Sequence, residues 1–382
     1  MSKASSPNTK RSKSSLPKNI AARIARLRKS LKQLGSDGFL VTDETNVTYL
    51  TGFTGDSSYL LVTAKQATLL SDSRYTIQIE EECPALDADV RTARTEMLDR
   101  VAAVCKSAKV NSLAIESDSI SKHFYDQLSS KLSNIDLVDS QQVIVDLRAI
   151  KDAGEIELIR RSILIAEKSF AVIRAQLTGG QTELEIAHNL EHTIRGFGGT
   201  GCAFDPIVGV GPRGALPHGQ PSMMKVSEHP FLLIDWGAQY RGYASDLTRI
   251  LVTGKISPKL QRVYGVVLKA QQAAIRKIRP GARLSMIDRT ARKVIDDAGF
   301  GKNFGHGLGH GFGLQIHEQP RLSPNAVGEL QPGMVVTVEP GIYLPGWGGV
   351  RIEDDILVTP EGHEVLTSVP KILEECVVES LG

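Results

Sequence analysis

The patterned part of the chain begins with apolar residues at helical spacing. They lie three or four positions apart and are Ile20, Ile24, Leu27, Leu31 and Leu34. This spacing predicts a helix over residues 19–35, with Gly35 at its end. Short apolar runs then alternate with amphipathic segments, which predicts a compact α/β domain ending near residue 145. Its predicted strands are 39–42, 59–63, 67–70 and 112–116, and its predicted helices are 77–82, 97–107 and 124–132.

A different pattern follows, in which long amphipathic segments alternate with glycine-rich apolar runs. The long segments predict helices over residues 148–176, 182–196, 259–278 and 285–298. We expect Ser285 to cap the last helix and Gly299 to end it. The glycine-rich runs predict strands over residues 230–237, 243–252, 304–317, 334–342 and 350–358. Helices alternating with antiparallel hairpins predict an α+β domain.

The predicted organisation is therefore a tail and two domains, residues 1–18, 19–146 and 147–382. A length of 382 residues suits two domains, because single cores rarely grow past roughly 250–300 residues. The tail is rich in Ser, Lys and Pro, with no acidic residue and no apolar core of the signal-peptide kind. That composition predicts disorder.

Composition narrows the class of protein. The chain is 41% hydrophobic and 23% charged with a net charge of +2, which is typical of a soluble globular protein and gives no general attraction to nucleic acid or membrane. No apolar run approaches the roughly 18 residues that a bilayer span needs. The four cysteines are scattered without a C-x-x-C pair, which favours a reducing compartment. We therefore expect a cytoplasmic protein that binds neither nucleic acid nor membrane.

A first pair of acids lies in the stretch Phe231–Asp246. Two apolar runs flank a polar turn near Tyr240 and Arg241, and a hairpin centred there places Asp235 opposite Asp246. Directly opposed residues have Cβ atoms about 4.5–5.5 Å apart. Two carboxylates at that separation repel each other unless a cation or a proton lies between them.

A second pair repeats the arrangement. Glu339 ends one apolar strand, Glu353 begins the next, and the two are symmetric about Gly346 in the intervening turn. Each acid alone is more simply a solvated residue at a strand end. Two matched pairs within one domain disfavour that alternative, because acids in apolar strands are rare unless they are paired or bind metal.

Histidines follow in a strictly alternating segment, Gly305–Gly313. As an extended strand it would place every glycine on one face and His306, Leu308, His310 and Phe312 on the other. The glycine face would let another backbone approach closely. His317 and His218 lie elsewhere in glycine- and proline-rich stretches. Four carboxylates and one imidazole nearly neutralise two divalent cations, and this ligand set favours Mn, Co, Fe or Zn over copper or an iron–sulfur cluster.

Two rival motifs carry little weight. Residues 209–214 match the G-x-G-x-x-G phosphate-binding pattern, but Pro212 and the residues after it do not open a helix. A nucleophile elbow of the form G-x-S-x-G does not occur in the sequence, which argues against a serine hydrolase of that type.

Taken in order, the acids and the histidine resemble the ligands of the pita-bread metallopeptidases, family M24. The likeness is greatest to the Xaa-Pro peptidase branch, which comprises enzymes similar to aminopeptidase P and prolidase. The matching contexts are Ile234–Ala238, Gly242–Arg249, His306–His310, Val336–Tyr343 and Arg351–Asp354. Segments of the first domain and the junction also match, namely Asn46–Thr54, Asp72–Tyr75 and Arg148–Asp152. Trp236 departs from the family's small or aliphatic residue, and we expect it to lie beside the site.

The resemblance implies a fold and a metal centre. The fold is α+β, a C-terminal pita-bread (creatinase/aminopeptidase) fold preceded by a smaller α/β creatinase-like domain. The metal ligands are Asp235, Asp246, His310, Glu339 and Glu353, with Asp246 and Glu353 bridging two divalent ions. Manganese is expected first, with cobalt, zinc or iron as alternatives.

It also implies an activity. A hydroxide bridging the two metals would cleave the peptide bond before proline and release the N-terminal residue from Xaa-Pro peptides or dipeptides. The catalytic residues would be His218, His317 and Glu339, and the substrate-binding residues would be His218, His306, His317, Tyr343 and Arg351. Arg351 could instead pair with a metal-bound carboxylate.

Several alternatives stay open on the sequence alone. Another pita-bread hydrolase, such as a creatinase, would not need a proline pocket. A non-enzymatic binding module of the same fold is disfavoured, because all five ligand positions are present. Relatives of this type are usually homodimers, so a homodimer is expected.

Overall fold

The computed structural model describes residues 15–378, and the chain divides into two compact units, residues 1–147 and 148–382. The predicted tail lies outside the described residues up to residue 14, and the first helix already begins at Lys18. Among the described residues, no helix is both long enough and apolar enough to cross a bilayer.

The first unit is a six-stranded mixed sheet with helices. Its strands lie in the order β4-β3-β2-β1-β5-β6, antiparallel between β1, β2 and β3 and parallel elsewhere. The strands are β1 (Gly38–Val41), β2 (Tyr59–Thr63), β3 (Ala67–Asp72), β4 (Asp87–Arg91), β5 (Ser112–Glu116) and β6 (Asp136–Ser140). The helices are α1 (Lys18–Leu34), α2 (Glu44–Thr51), α3 (Thr76–Glu82), α4 (Met97–Ala108), α5 (Lys122–Lys131) and, at the junction, α6 (Val143–Ala149).

Every element predicted in this unit is present within about two residues at each end. The sequence did not reveal α2, β4, β6 or α6. Strand β4 carries two aspartates in five residues and lies at the sheet edge, so it lacks the apolar alternation of a buried strand. Helix α2 has only eight residues, three of them threonine, and its N-terminus depends on Asp43, whose carboxylate accepts a hydrogen bond from the Asn46 amide.

The second unit consists of antiparallel sheets covered by long helices. The helices are α7 (Ala153–Ala175), α8 (Glu183–Gly196), α9 (Pro258–Ile275) and α10 (Leu284–Asp297). The first strands are β7 (Gly201–Cys202), β8 (Ile207–Val210), β9 (Phe231–Trp236), β10 (Ala238–Tyr240), β11 (Tyr243–Ala244) and β12 (Leu247–Val252). The later strands are β13 (Gly309–Gly311), β14 (Glu318–Leu322), β15 (Val335–Val338), β16 (Gly341–Leu344), β17 (Gly348–Arg351), β18 (Asp354–Thr359) and β19 (Gly362–Val365). The sheets are β11-β10-β7, β12-β9-β8, β14-β13-β15-β18-β19 and β16-β17.

Strand β9 is buried on both faces, and this decides which of its side chains can reach a site. Leu233 belongs to a hydrophobic cluster with α9 and α10, whereas Leu232 and Ile234 belong to a second cluster with α7 and α8. Alternate residues of β9 therefore face different helix pairs, and Asp235 shares the face of Leu233.

One predicted helix start and one predicted helix cap are wrong. The helix predicted from residue 148 begins at Ala153, because Asp152 caps it: Asp152 accepts from the Glu155 amide at 3.0 Å while Glu155 accepts from the Asp152 amide at 2.9 Å. Ser285 does not cap α10 but lies in its first turn, after Arg283, whose side chain makes no capping bond. The D-x-x-E pattern at 152–155 was a readable signal for the first of these.

Candidate metal centre

The first acid pair is close, but not through the predicted register. Asp235 lies opposite Thr248, not Asp246, because the turn is Arg241–Gly242 rather than Tyr240–Arg241. Both turn residues have positive φ, 48° and 85°, as a two-residue hairpin turn of this type requires. Asp246 precedes Thr248 by two residues and so reaches Asp235 diagonally on the same face.

The second register is confirmed. Strands β16 and β17 pair Gly341 with Arg351, and β15 and β18 pair Val338 with Asp354, so both ladders have the same register about Gly346. That register sets Glu339 opposite Glu353 at the point where one ladder gives way to the next. Neither glutamate is part of a strand, so the alternation of side chains between the two faces of a strand does not dictate the direction of theirs.

The two hairpins bring three carboxylates together. Oxygens of Asp235, Asp246 and Glu353 lie within 4.8 Å of one another, and each residue is at most 7% exposed. Oδ1 of Asp235 is buried and has no hydrogen-bond partner among the described residues. We call Asp235, Asp246, Glu339 and Glu353 the acid cluster. A cation would satisfy both the orphaned oxygen and the concentrated charge.

His310 completes the arrangement from β13. Its Nδ1 lies 3.1 Å from the Gly311 carbonyl, and burial lowers the pKa of the imidazole to about 3, so Nδ1 carries the proton and donates it. The bare Nε2 then faces Oδ2 of Asp246 at 3.6 Å and Oε1 of Glu339 at 3.3 Å. A lone pair directed at carboxylate oxygens needs a proton or a cation between them, and a metal ligand histidine is commonly held by just such a bond from its other nitrogen.

Burial raises the pKa of every member of the acid cluster, and neighbouring carboxylates raise it further for Asp246, Glu339 and Glu353. The pKa values of Asp246 and Glu353 lie well above the usual range, first through burial and then through neighbouring carboxylates. Burial raises the pKa of Glu339 to about 8. The pKa of Asp235 is also raised by burial, but the Arg351 guanidinium opposes that rise. Without bound cations the cluster would therefore hold protons near neutral pH.

Arg351 supports the cluster rather than standing apart from it. Its Nη2 donates to Oδ2 of Asp235 at 2.6 Å, and its Nε donates to the Thr248 hydroxyl at 3.0 Å. Thr248 in turn donates to Oε2 of Glu353 at 2.6 Å. This geometry favours pairing with a carboxylate of the cluster, although Arg351 also lines the cavity described below.

His306, Tyr343 and Arg351 form one hydrogen-bonded chain. His306 donates from Nδ1 to the Gly307 carbonyl at 2.7 Å, and its Nε2 accepts from the Tyr343 hydroxyl at 2.9 Å. That hydroxyl accepts from Nη1 of Arg351 at 2.8 Å. Burial lowers the pKa of His306 to about 4 and raises the pKa of Tyr343 to about 12, so both are neutral.

A cavity of about 500 Å³ joins these groups. Of the ten predicted site residues, all but Tyr343 line it. The nine are His218, Asp235, Asp246, His306, His310, His317, Glu339, Arg351 and Glu353. His218 and His317 are exposed, and the ring of His317 lies 4.5 Å from that of His310, edge to face.

Sequence reasoning missed other lining residues, chiefly Arg321, Phe204 and Ile316. Arg321 lies on β14 directly opposite His310, and its charge contributes to the lowered pKa of both His310 and His317. No motif marked these positions. The pairing of β13 with β14, which only the fold reveals, brings Arg321 to the cavity.

Trp236 does not lie beside the site as expected. It follows Asp235 and so faces the opposite side of β9, where it stacks on Phe170 with ring centroids 4.2 Å apart. Its Nε1 donates to the Ala166 carbonyl at 2.9 Å. The indole is fully buried against α7 and does not line the cavity.

The glycine–histidine segment is also less regular than predicted. Only Gly309–Gly311 is a strand, with a register shift after His310, and Leu308 and Phe312 pack into two different hydrophobic clusters. The expected close backbone approach does occur. A Cβ on Gly309 would lie 2.1 Å from the Thr337 carbonyl oxygen, so only glycine fits there.

Comparisons with known proteins agree with this geometry. Residues 157–360 match the model of metallopeptidase family M24, and residues 23–150 match the creatinase/prolidase N-terminal domain. An Xaa-Pro dipeptidase of Pyrococcus horikoshii is 35% identical, covering 88% of this chain and 94% of that protein. A solved Xaa-Pro dipeptidase from Bacillus anthracis aligns with TM-score 0.89 at 37% identity over 93% and 99% of the two chains. An X-Pro aminopeptidase from Thermotoga maritima aligns with TM-score 0.84 at 36% identity over 92% and 98%.

Fold and site thus define a metallopeptidase with a pita-bread domain and a creatinase-like N-terminal domain, and the chain belongs to metallopeptidase family M24. Within that family it falls in the Xaa-Pro peptidase branch.

Proposed function

We propose that this protein hydrolyses the peptide bond preceding proline and releases the N-terminal residue of Xaa-Pro peptides or dipeptides. The observation that carries the proposal is the convergence of three buried carboxylates, the partly buried Glu339 and a neutral histidine on one cavity of substrate size. The names of the relatives, an Xaa-Pro dipeptidase and an X-Pro aminopeptidase, support the choice of bond.

Asp235, Asp246, His310, Glu339 and Glu353 would hold two divalent ions. The charge of four carboxylates suits two such ions, and oxygen ligands with one nitrogen favour manganese, with cobalt, zinc or iron as alternatives. A metal pair of this kind supplies a water of lowered pKa and polarises a carbonyl oxygen. The orphaned Oδ1 of Asp235 and the bare Nε2 of His310 support this assignment.

The other side chains would bind substrate and move protons. Glu339 has one oxygen supported by the Thr337 hydroxyl at 3.1 Å, which orients the carboxylate as a proton acceptor. His218 and His317, exposed in the cavity wall, would donate to the tetrahedral oxyanion or to the leaving nitrogen. That nitrogen must gain a proton to leave as an amine, because an unprotonated nitrogen would have to depart as a strongly basic anion.

His306 and Arg351 would form the wall that receives the proline ring, with Tyr343 holding them from behind. Arg321 adds a cation to the cavity wall. A cation there suits a substrate with a free carboxylate, as in a dipeptide, so dipeptides are the substrates we expect to be hydrolysed best.

The test is a product analysis with purified, manganese-loaded protein. Gly-Pro and Gly-Pro-Ala should each release glycine, with Gly-Pro the better substrate, while Gly-Ala and creatine remain intact. Hydrolysis of creatine without hydrolysis of Gly-Pro would favour the creatinase alternative. No hydrolysis with any of the four candidate metals would leave a non-enzymatic binding module as the better account.

Three further attributions belong to the proposal. Residues 147–382 would be the catalytic domain and 19–146 the creatinase-like domain. The protein would be a homodimer, as its family resemblance implies. It would act in the cytoplasm, which its four free cysteines support, since a reducing compartment keeps thiols unpaired.

A further inference from the structure

The junction motif Arg148–Asp152 has no part in the chemistry proposed above, yet both of its basic side chains are buried. Arg148, Lys151 and Glu318 are each at most 2% exposed in their side chains. The carboxylate of Glu155, also buried, adds a second negative charge that acts on Lys151. Within the described residues, none of these four lines the cavity. We call them the junction cluster.

Its contacts converge on a short loop that leads into β14 and on Glu318, the first residue of that strand. We call residues 315–318 the 315–318 loop. Arg148 Nη2 donates to Oε1 of Glu318 at 2.5 Å and to the side-chain oxygen of Gln315 at 2.9 Å. The backbone amide of Gln315 also donates to Oε1 of Glu318 at 3.0 Å, and Lys151 Nζ lies 3.3 Å from Oε2 of Glu318. One guanidinium thus ties both ends of the loop together.

His317 lies inside this loop, next to Glu318. Its ring lines the cavity and contacts that of His310 edge to face, with centroids 4.5 Å apart. The side chain is exposed and lines the cavity. The junction cluster holds the backbone that carries this ring, through its contacts with Gln315 and Glu318.

A buried ion cluster is a weak source of stability, because the loss of hydration offsets most of the attraction between the charges. What it provides is direction: the two N–H bonds of Arg148 Nη2 lie at a fixed angle in the guanidinium plane and form a fork that donates to Gln315 and Glu318 together. The cluster therefore contributes more to the geometry of the loop than to the stability of the protein.

We propose that Arg148 and Glu318 are positioning residues that hold His317 in its reactive place. The proposal rests on the proposed function, because it gives His317 a role in the reaction. The junction motif would then affect catalysis indirectly, through the backbone of the 315–318 loop.

The test replaces the clamp by apolar side chains in the double variant R148M/E318M. Lys151 and Glu155 remain, so the variant removes one positive and one negative charge and the remaining buried charges still sum to zero. We expect kcat to fall about 10- to 100-fold with KM within about two-fold, since a misplaced catalytic group of this kind costs about that much. Metal content should be unchanged.

The decisive comparison adds H317A. If the clamp acts through His317, R148M/E318M lowers kcat no further in the H317A background. An equal additional loss in that background, or an unchanged kcat in R148M/E318M, would overturn the proposal. R160M/E364M is the control: it removes an exposed ion pair of the same unit and should leave kcat unchanged.

A second readout does not depend on turnover. The imidazole NMR signals of His317, assigned by their loss in H317A, should shift in R148M/E318M and stay in place in R160M/E364M. If the parent protein hydrolyses no Xaa-Pro peptide, the proposed function fails, while the NMR comparison still decides the positioning claim. Should R148M/E318M not fold, R148K keeps the charge without the fork and is expected to give the same displacement and a smaller loss of kcat.

Discussion

Asp246 is the acid most surrounded by other acids. After burial, the charges of Glu353, Asp235, Glu339 and Asp355 all raise the pKa of its carboxyl. Within residues 15–378, no lysine or arginine forms an ion pair with it as Arg351 does with Asp235. Its ionised form therefore depends on whatever positive charge the site binds.

Asp246→Asn should abolish turnover while the fold persists. The amide keeps the shape of the side chain but removes the negative charge that two bound ions need. Hydrolysis of Gly-Pro measures turnover, elemental analysis measures bound metal and thermal unfolding measures whether the fold persists. Asp205→Asn, an acid of the same cavity outside the cluster, is the control and should retain its metal. Full activity in Asp246→Asn would refute its role as a ligand.

Arg321→Ala should weaken the binding of dipeptides more than that of longer peptides. The guanidinium is expected to pair with a free carboxylate one residue after the scissile bond, and a longer peptide carries that charge elsewhere. We expect KM for Gly-Pro to rise about ten-fold, equivalent to about 1.4 kcal/mol, with KM for Gly-Pro-Ala nearly unchanged. Arg321→Lys, which keeps the charge, should recover part of the difference. Equal effects on both substrates would contradict this assignment.

Among the elements, the hairpins and the glycine strand determine where the ligands stand. The apolar runs, the symmetry about Gly346 and the glycine alternation were enough to predict that Glu339 meets Glu353 and that His310 lies on a closely packed strand. The first hairpin was misjudged by one residue, because two adjacent positive φ values at Arg241 and Gly242 were needed to recognise the turn. Local patterns fix hairpins well only when the turn residues are read correctly.

Gly309→Ala should displace the histidine strand from its neighbour. The added Cβ would lie 2.1 Å from the Thr337 carbonyl oxygen, so β13 and β15 must move apart. We expect a loss of about 1–3 kcal/mol in the free energy of unfolding together with weaker metal binding. Gly305→Ala is the matched control, since a Cβ there meets nothing within 4 Å. Chemical unfolding and metal titration compare the two, and equal stabilities would contradict the packing argument.

At the scale of the whole molecule, the sequence predicted two domains, their class and five clustered ligands. It did not predict which residues complete the cavity. Arg321 reaches the cavity only through strand pairing between β13 and β14, and Trp236 leaves it because β9 is buried on both faces. Such facts depend on tertiary neighbours, which a linear pattern of apolar residues does not contain.

The stability of the metal-free protein should fall as the pH rises from about 6.5 to 8. In that range the folded acid cluster retains protons, since the pKa of Glu339 is about 8 and those of Asp246 and Glu353 are well above normal, whereas the unfolded acids have lost theirs. Below about pH 6.5 the lowered pKa values of His306 and His310 act in the opposite direction. Thermal unfolding with a chelator should give this falling curve, and saturating manganese should abolish it. A rising curve without metal would contradict the arrangement of charges.

The most direct test of the account is a metal titration of the demetallated protein, followed by Gly-Pro hydrolysis. We predict that chelation abolishes release of proline, that manganese restores it, and that the activity saturates at two ions per chain. Asp246→Asn should stay inactive throughout the titration. Undiminished hydrolysis after complete removal of metal, or no hydrolysis after addition of manganese, cobalt, zinc or iron, would contradict the account.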